Sequence, residues 1–279
     1  MKVLITGVRG QLGHEVFDQL KTDHEPVGID IEDVDIADFG AVDHFIKTLR
    51  PGAVVNCAAY TNVDKCEEDE ITAYRANAVG PQNIAVACGK YDAKMVHIST
   101  DFVFDGTADM PYTEFDPPNP LSIYGKSKLA GEVLVRDIIP KHFIVRTAWL
   151  YGENGHNFVK TMLKLAEERR TVRVVDDQHG TPTYAPDLAK TICGLLKTEH
   201  YGTYHCSNNG SCTWHGFATK IFELTGSDTK VEKITSAEFN RPAKRPKYSV
   251  MRNLMLEMTI GDHMPDWEDG LDRFIQAIK

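Results

Sequence analysis

The sequence predicts an α/β fold built on a doubly wound parallel sheet, and three observations carry that prediction. Short apolar runs alternate with helical patterns from the first residue to about residue 150. The first run passes directly into a glycine-spaced turn, GVRGQLG. Two later runs end in small or hydroxyl-bearing residues, at the strand ends where such sheets bind their ligands. The expected organisation is a Rossmann-type domain over residues 1–150 and a smaller, mostly helical, discontinuous region over 151–279, with the chain returning to the sheet around 171–206.

MKVLITG opens with a strand, apolar at Val3, Leu4 and Ile5, and runs into Gly7, Gly10 and Gly13. Leu12, Val16, Phe17 and Leu20 then recur at helical spacing. A helix N-terminus offers unpaired N–H groups and positive dipole character, which suit a pyrophosphate. The spacing is G-x-x-G-x-x-G rather than the commoner G-x-G-x-x-G. Glycines also mark ordinary turns, but their place between a strand and a helix points to a dinucleotide. PVGID reads as the second strand and ends at Asp30, an acid suited to a ribose 2′-hydroxyl and repelling a 2′-phosphate. Arg9, inside the glycine loop, leans the other way, so NADH and NADPH both stay open.

AVVNCAAYTNVD reads as a buried strand through Ala53, Val54 and Val55, ending in Ala58 and Ala59, small enough for a cofactor to lie against. KMVHISTDFVF repeats the design and ends in Ser99, Thr100 and Asp101. A hydroxyl there can donate to a substrate carbonyl, although turn-capping is its commoner use. In SIYGKSKLAGE, Tyr124 and Lys128 stand four residues apart, on one helix face. An ammonium beside a phenol draws the tyrosine pKa down from ~10 and fits it to protonate an oxygen that gains electron density. The pair alone could equally be a chance feature of a solvated helix; the glycine turn upstream favours hydride chemistry on a carbonyl.

DGTADMPYTEFDPPNPLSIYG, rich in Pro and Asp, reads as an ordered flap at the mouth of the site. HFIVRTAWLY is a further strand, with Trp149 and Tyr151 at its end. NFVKTMLKLAEERR is an amphipathic helix, TVRVVDD a returning strand and YGTYHCSN a later one. The remainder, including SCTWHGFATKIFELTG and WEDGLDRFIQAIK, reads as mostly helical.

The net charge of −9 over 279 residues argues against a nucleic-acid partner without excluding an anionic ligand. No apolar stretch is long enough to cross a membrane, and the first apolar run reads as a strand rather than a signal peptide. The six cysteines, Cys57, Cys66, Cys88, Cys193, Cys206 and Cys212, show no C-x-x-C spacing. Free thiols and a cytoplasmic location are expected. The eleven histidines form no ligand cluster, and no metal site is expected.

GVRGQLG, STDFVFDG, PLSIYGKSKLAGE, RTAWLYG, DQHGTPTYAPDLA and AKRPKYSV together resemble the extended short-chain dehydrogenase/reductases. Within them the resemblance narrows to the dTDP-4-dehydrorhamnose reductase family, over nearly the whole chain. It implies reduction of the C4 ketone of a dTDP-linked 4-keto-6-deoxy sugar by NADPH or NADH. It also implies a triad of Thr100, Tyr124 and Lys128. Gly7, Gly10, Gln11 and Leu12 resemble the pyrophosphate turn, Asp30 the ribose contact, and Asp35 and Ile36 the adenine edge. Ala58, Ala59, Tyr60 and Thr61 resemble the cofactor wall, with Tyr124 and Lys128 at its far end. Val63, Asp101, Phe102 and Trp149 resemble residues around the sugar, and Arg245 a phosphate partner. The family usually has tyrosine where Phe102 stands, so a polar role is lost there. Some relatives form metal-linked dimers through acids; Glu15 matches one such acid, but no full set matches. A homodimer stays open.

Two rivals follow from the same residues. An epimerase or dehydratase shares the architecture, but a dehydratase needs a further acid after Asp101, and Phe102 stands there. A non-catalytic NADP-binding regulatory subunit is the other rival, disfavoured by the retained Thr100, Tyr124 and Lys128.

Overall fold

The computed structural model describes residues 1–279. Strand β1 (Lys2–Thr6) leads into helix α1 (Gln11–Leu20), and β2 (Glu25–Ile29) into α2 (Phe39–Leu49). After β3 (Ala53–Asn56) come short helices α3 (Val63–Glu68) and α4 (Glu70–Tyr74), a π-helical turn at Arg75–Val79, and α5 (Gly80–Tyr91). Strand β4 (Lys94–Thr100), helix α6 (Ile123–Ile138) and strand β5 (His142–Thr147) complete the amino-terminal half. The chain then leaves the sheet through β6 (Leu150–Tyr151), α7 (Phe158–Glu168), β7 (Thr171–Val175), β8 (His179–Gly180) and β9 (Thr183–Tyr184). Helix α8 (Ala185–Leu196) brings it back as β10 (Gly202–His205). Beyond lie β11 (Cys212–Thr213), α9 (Trp214–Thr225), β12 (Lys230–Ile234), α10 (Ser236–Phe239), α11 (Leu254–Met258) and α12 (Trp267–Ile278).

Six strands form one parallel sheet in the order β10-β5-β4-β3-β1-β2. Strand β1 lies between β2 and β3, so the connections leave it in opposite directions and open a crevice above its carboxyl end. Alternation along each strand builds a core on each face. Val3, Ile5, Val55 and Val145 face α1 and α8 and pack with Leu12, Val16, Leu188 and Ile192. Leu4, Val54, Met95 and Ile144 face the other way, onto Val42, Ile46, Ile84 and Val135 of α2, α5 and α6. A truncation such as Ile5→Ala in this fully buried strand costs about 2–5 kcal/mol.

A third core, around Tyr151, Val159, Phe217, Leu271 and Phe274, joins α7, α9 and α12. TVRVVDD does not return to the central sheet: β7 pairs in parallel with β12, residue for residue from Thr171↔Lys230 to Val175↔Ile234. The return is made by α8 and β10 alone. The reason is one-sided burial. Arg173 is exposed between buried Val172 and Val174, and Lys230, Glu232 and Lys233 are exposed opposite them. A strand inside the doubly wound sheet needs both faces apolar. The carboxyl-terminal region expected to be helical therefore also carries three small two-stranded ladders.

Candidate active site

The glycine turn is a backbone device. Gly7 adopts φ +67°, and a Cβ there would stand 2.8 Å from the Ala58 amide nitrogen. A Cβ on Gly13 would meet the Gly7 carbonyl oxygen at 2.1 Å, so α1 can only begin against this turn without a side chain there. Gly10 caps α1 without any side-chain hydrogen bond, leaving first-turn N–H groups for a ligand. The Asp30 carboxylate accepts from the Arg9 backbone N–H at 3.1 Å. The Arg9 guanidinium turns outward to Glu32, also at 3.1 Å. The two opposed cofactor signals are thus reconciled locally: the acid faces the cleft and the cation is held by a neighbouring carboxylate.

One cleft of about 910 Å³ runs along the carboxyl edge of the sheet. It starts at Gly7, Gly10, Gln11 and Leu12 and passes Asp30, Asp35 and Ile36, then Ala58, Ala59, Tyr60, Thr61 and Val63. It ends at Thr100, Asp101, Phe102, Tyr124, Lys128, Trp149 and Arg245. The triad, cofactor and sugar residues that the resemblance implied all line this one space, whereas Arg9 and Glu15 do not.

Thr100 ends β4; its hydroxyl donates to Asp101 Oδ1 at 3.0 Å and accepts from the Phe102 N–H at 3.2 Å. Tyr124 and Lys128 sit on the first two turns of α6, which Ser122 caps by accepting from the Gly125 N–H at 3.2 Å. Gly125 lets this helix lie against the strand end, because a Cβ there would meet the Phe102 carbonyl oxygen at 2.2 Å. The Phe102 ring stands edge-on to Tyr124 with centroids 5.5 Å apart, an apolar cover where the family resemblance implied a hydroxyl.

Electrostatics here depart from the sequence expectation. Burial pushes the Tyr124 phenol well above its ordinary range, with the Thr100 hydroxyl opposing the rise. Lys128 does not offset this in the structure, because its ammonium donates to the Ile98 carbonyl at 2.6 Å. Burial drives Lys128 down to about 8, against the opposing charge of Glu132 one turn on. Burial also lifts Asp101 to about 6, although Ser249 and Thr100 both donate to it. A dry site penalises every charged form, so a spacing rule alone misjudges the phenol.

Several contributors were not legible beforehand. Trp149 holds a left-handed backbone, φ +46°, and its indole stacks on Trp214 at 3.6 Å between centroids and 9° between planes. Gly180 lies beneath it; a Cβ there would stand 2.5 Å from the Trp149 ring. Trp214 lines the cleft too. Its only sequence signal was its place after a helix-capping Thr213. Arg245 binds Asp64 with both guanidinium arms, at 3.1 and 3.0 Å, so its charge is already engaged at the cleft mouth. Asp35 is paired with Arg75 at 3.4 Å. Glu15 lies beside Glu153 and is raised mainly by burial. No group of three or more His, Cys, Asp or Glu side chains is placed to hold a metal ion. All six cysteines are free thiols, and no helix is long and apolar enough to cross a membrane.

The residues present fit a nicotinamide dinucleotide. The buried hydroxyls of Ser99 and Thr147 have no hydrogen-bond partner, and both line the cleft at the ends of adjacent strands. Ala58 and Ala59 leave its wall flat, and Gly7 brings backbone to its floor. A parallel sheet with a glycine turn at its switch point, Thr100 at a strand end, and Tyr124 and Lys128 on α6 lining the same cleft define an NAD(P)-dependent oxidoreductase of the short-chain dehydrogenase/reductase type. The family model described as the RmlD substrate binding domain matches residues 1–279, and the chain belongs to that family. A crystal structure of a dTDP-4-dehydrorhamnose reductase from Clostridium acetobutylicum is 51% identical and superposes with a TM-score of 0.98, covering 100% of this chain and 99% of that one. The Bacillus anthracis dTDP-4-dehydrorhamnose reductase in complex with NADP is 45% identical, with a TM-score of 0.97 and 99% of each chain covered. The spore coat polysaccharide biosynthesis protein SpsK of Bacillus subtilis is 43% identical over 99% of this chain and 97% of its own length.

Proposed function

We propose that the protein reduces the C4 ketone of dTDP-4-dehydro-L-rhamnose to dTDP-L-rhamnose, using NADPH or NADH. The observation that carries this reading is the convergence of Thr100, Tyr124 and Lys128 on the cleft that begins at the glycine turn. When bound, the reduced nicotinamide supplies the hydride. Gly7, Gly10, Gln11 and Leu12 hold the pyrophosphate, Asp30 the adenosine ribose, Asp35 and Ile36 the adenine edge, and Ala58 to Thr61 the wall. Thr100 donates to the C4 oxygen, and Tyr124 protonates it as negative charge builds there. A raised phenol pKa keeps Tyr124 in the protonated form that this task needs. Lys128, tied to the strand end, is placed to hold the nicotinamide ribose. Val63, Phe102 and Trp149 shape the apolar side of the sugar pocket, and Asp101 acts there through Thr100, from whose hydroxyl it accepts. Arg245 serves the diphosphate by exchanging Asp64 for it.

In this reading residues 1–150 carry the cofactor, 151–279 the sugar nucleotide, and the return to the sheet is limited to 185–205. The free thiols support a cytoplasmic location, and the net charge of −9 supports the absence of a nucleic-acid partner. A homodimer is compatible with this assignment. The test is NAD(P)H oxidation with dTDP-4-dehydro-L-rhamnose against its sugar epimers, for the wild type and Tyr124→Phe. The wild type should consume cofactor stoichiometrically. The variant should lose about 10²–10⁴ in kcat while cofactor binding stays within about threefold. Near-normal turnover in the variant overturns the assignment.

A further inference from the structure

Asp101 is reached from a distant part of the chain. Ser249, buried in the segment between α10 and α11, donates its hydroxyl hydrogen to Asp101 Oδ2 at 2.6 Å. The other carboxylate oxygen accepts from Thr100 at 3.0 Å. Asp101 and Ser249 are each 2% exposed and Thr100 6%. The chain Ser249–Asp101–Thr100 is therefore shielded from water and ends beside Tyr124.

Asp101 and the substrate oxygen compete for one Thr100 hydrogen. A threonine hydroxyl has a single hydrogen. While Asp101 is ionised it can only accept, so the Thr100 hydrogen points backward, away from the substrate. A protonated Asp101 can donate to the Thr100 oxygen and release the Thr100 hydrogen forward. We infer that Ser249 and Asp101 are positioning residues that set the direction of the Thr100 hydroxyl, and that the reductive form of the site carries a protonated Asp101. This rests on the reductase reading for what Thr100 does, but not for the ionisation itself.

The surroundings favour the neutral form. Asp101 is held at about 6 by burial, the Ser249 and Thr100 hydrogen bonds opposing the rise. From α6, Tyr124 faces it as a neutral phenol, whose own rise the Asp101 charge increases. Lys128, one turn along, is occupied by the Ile98 carbonyl. From the 245–251 segment, Arg245 is committed to Asp64, and Tyr248 precedes Ser249. A ligand filling the cleft removes further water and pushes Asp101 higher.

Two measurements test this. The first is infrared titration of the carboxyl band of ligand-free protein, with Asp101→Asn identifying the Asp101 signal. The band should titrate near 6 in the wild type, at higher pH in Ser249→Ala, and back near the wild-type midpoint in Ser249→Thr. The second is the pH dependence of kcat. Turnover should fall on an alkaline limb, which Ser249→Ala moves to higher pH and Asp101→Asn abolishes, with the cofactor KM of Ser249→Ala within about twofold of wild type. A uniform loss in Ser249→Ala at every pH, or an Asp101 band that ignores Ser249, overturns the inference. A band that behaves as expected in a protein with no ketone reduction would refute the reductase reading and leave the Ser249–Asp101 linkage standing.

Discussion

The two ends of the cleft work by different physics. At the glycine turn the cleft is shaped by backbone geometry, and the nearby charges are wet. Arg9 and Glu32 are 65% and 63% exposed and pair at 3.1 Å, as Arg75 and Asp35 pair at 3.4 Å. Such pairs contribute about 0–1 kcal/mol each. At the end holding the proposed triad, Lys128 and Asp101 are 2% exposed, and the half-buried Tyr124 lines the same cleft. There the pKa of each group moves toward its neutral form. The contrast teaches that one end needs shape more than charge, and the other needs protons kept at chosen atoms.

The sharpest way to break the comparison is Gly13→Ala. Its Cβ would stand 2.1 Å from the Gly7 carbonyl, so the turn must shift before any cofactor docks. NADPH affinity, read by fluorescence titration, should weaken about 100-fold, with the far-UV dichroism of the fold retained. Unchanged affinity would mean that the turn is not where the pyrophosphate binds.

Next in size is the pH response of Lys128. Its folded pKa, about 8, lies below the ordinary 10.5, so the unfolded chain binds the extra proton between those values. Its contribution to stability therefore rises with pH through that window and is unfavourable below it. Denaturant unfolding of wild type and Lys128→Met should give a difference that shifts in favour of the wild type between about pH 8 and 10.5, by about 1–3 kcal/mol. A flat difference would place the Lys128 ammonium in solvent.

Trp214→Ala tests the Trp149–Trp214 stack, which the proposed function sets beside the sugar. Losing the stack on Trp149 removes about 0.5–1.5 kcal/mol of ordering, so the sugar-nucleotide KM should rise about three- to tenfold with a smaller change in kcat. Equal effects on cofactor KM would place the pair elsewhere in the cleft. The smallest effect belongs to Glu32→Ala. It frees Arg9 at negligible cost to stability and should move preference toward NADPH over NADH by only a few-fold. A change in the opposite direction would show that Arg9 does not serve a 2′-phosphate.

Much of the fold and site was legible along the chain because the signals are local. A glycine turn between a strand and a helix, small or hydroxyl residues at strand ends, and Tyr124 four residues before Lys128 each depend on neighbours within a few positions. Sequence alone determined the doubly wound sheet, the glycine turn at its switch point and many, though not all, of the residues lining the cleft. Tertiary structure decided what long-range burial and pairing control. It took Thr171–Val175 out of the sheet to meet Lys230–Ile234 and stacked Trp149 on Trp214. It turned the Lys128 ammonium to Ile98 and set Ser249 on Asp101 from 148 residues away. Desolvation depends on which distant segments cover a group, and that covering, not the four-residue spacing, sets the protonation of Tyr124.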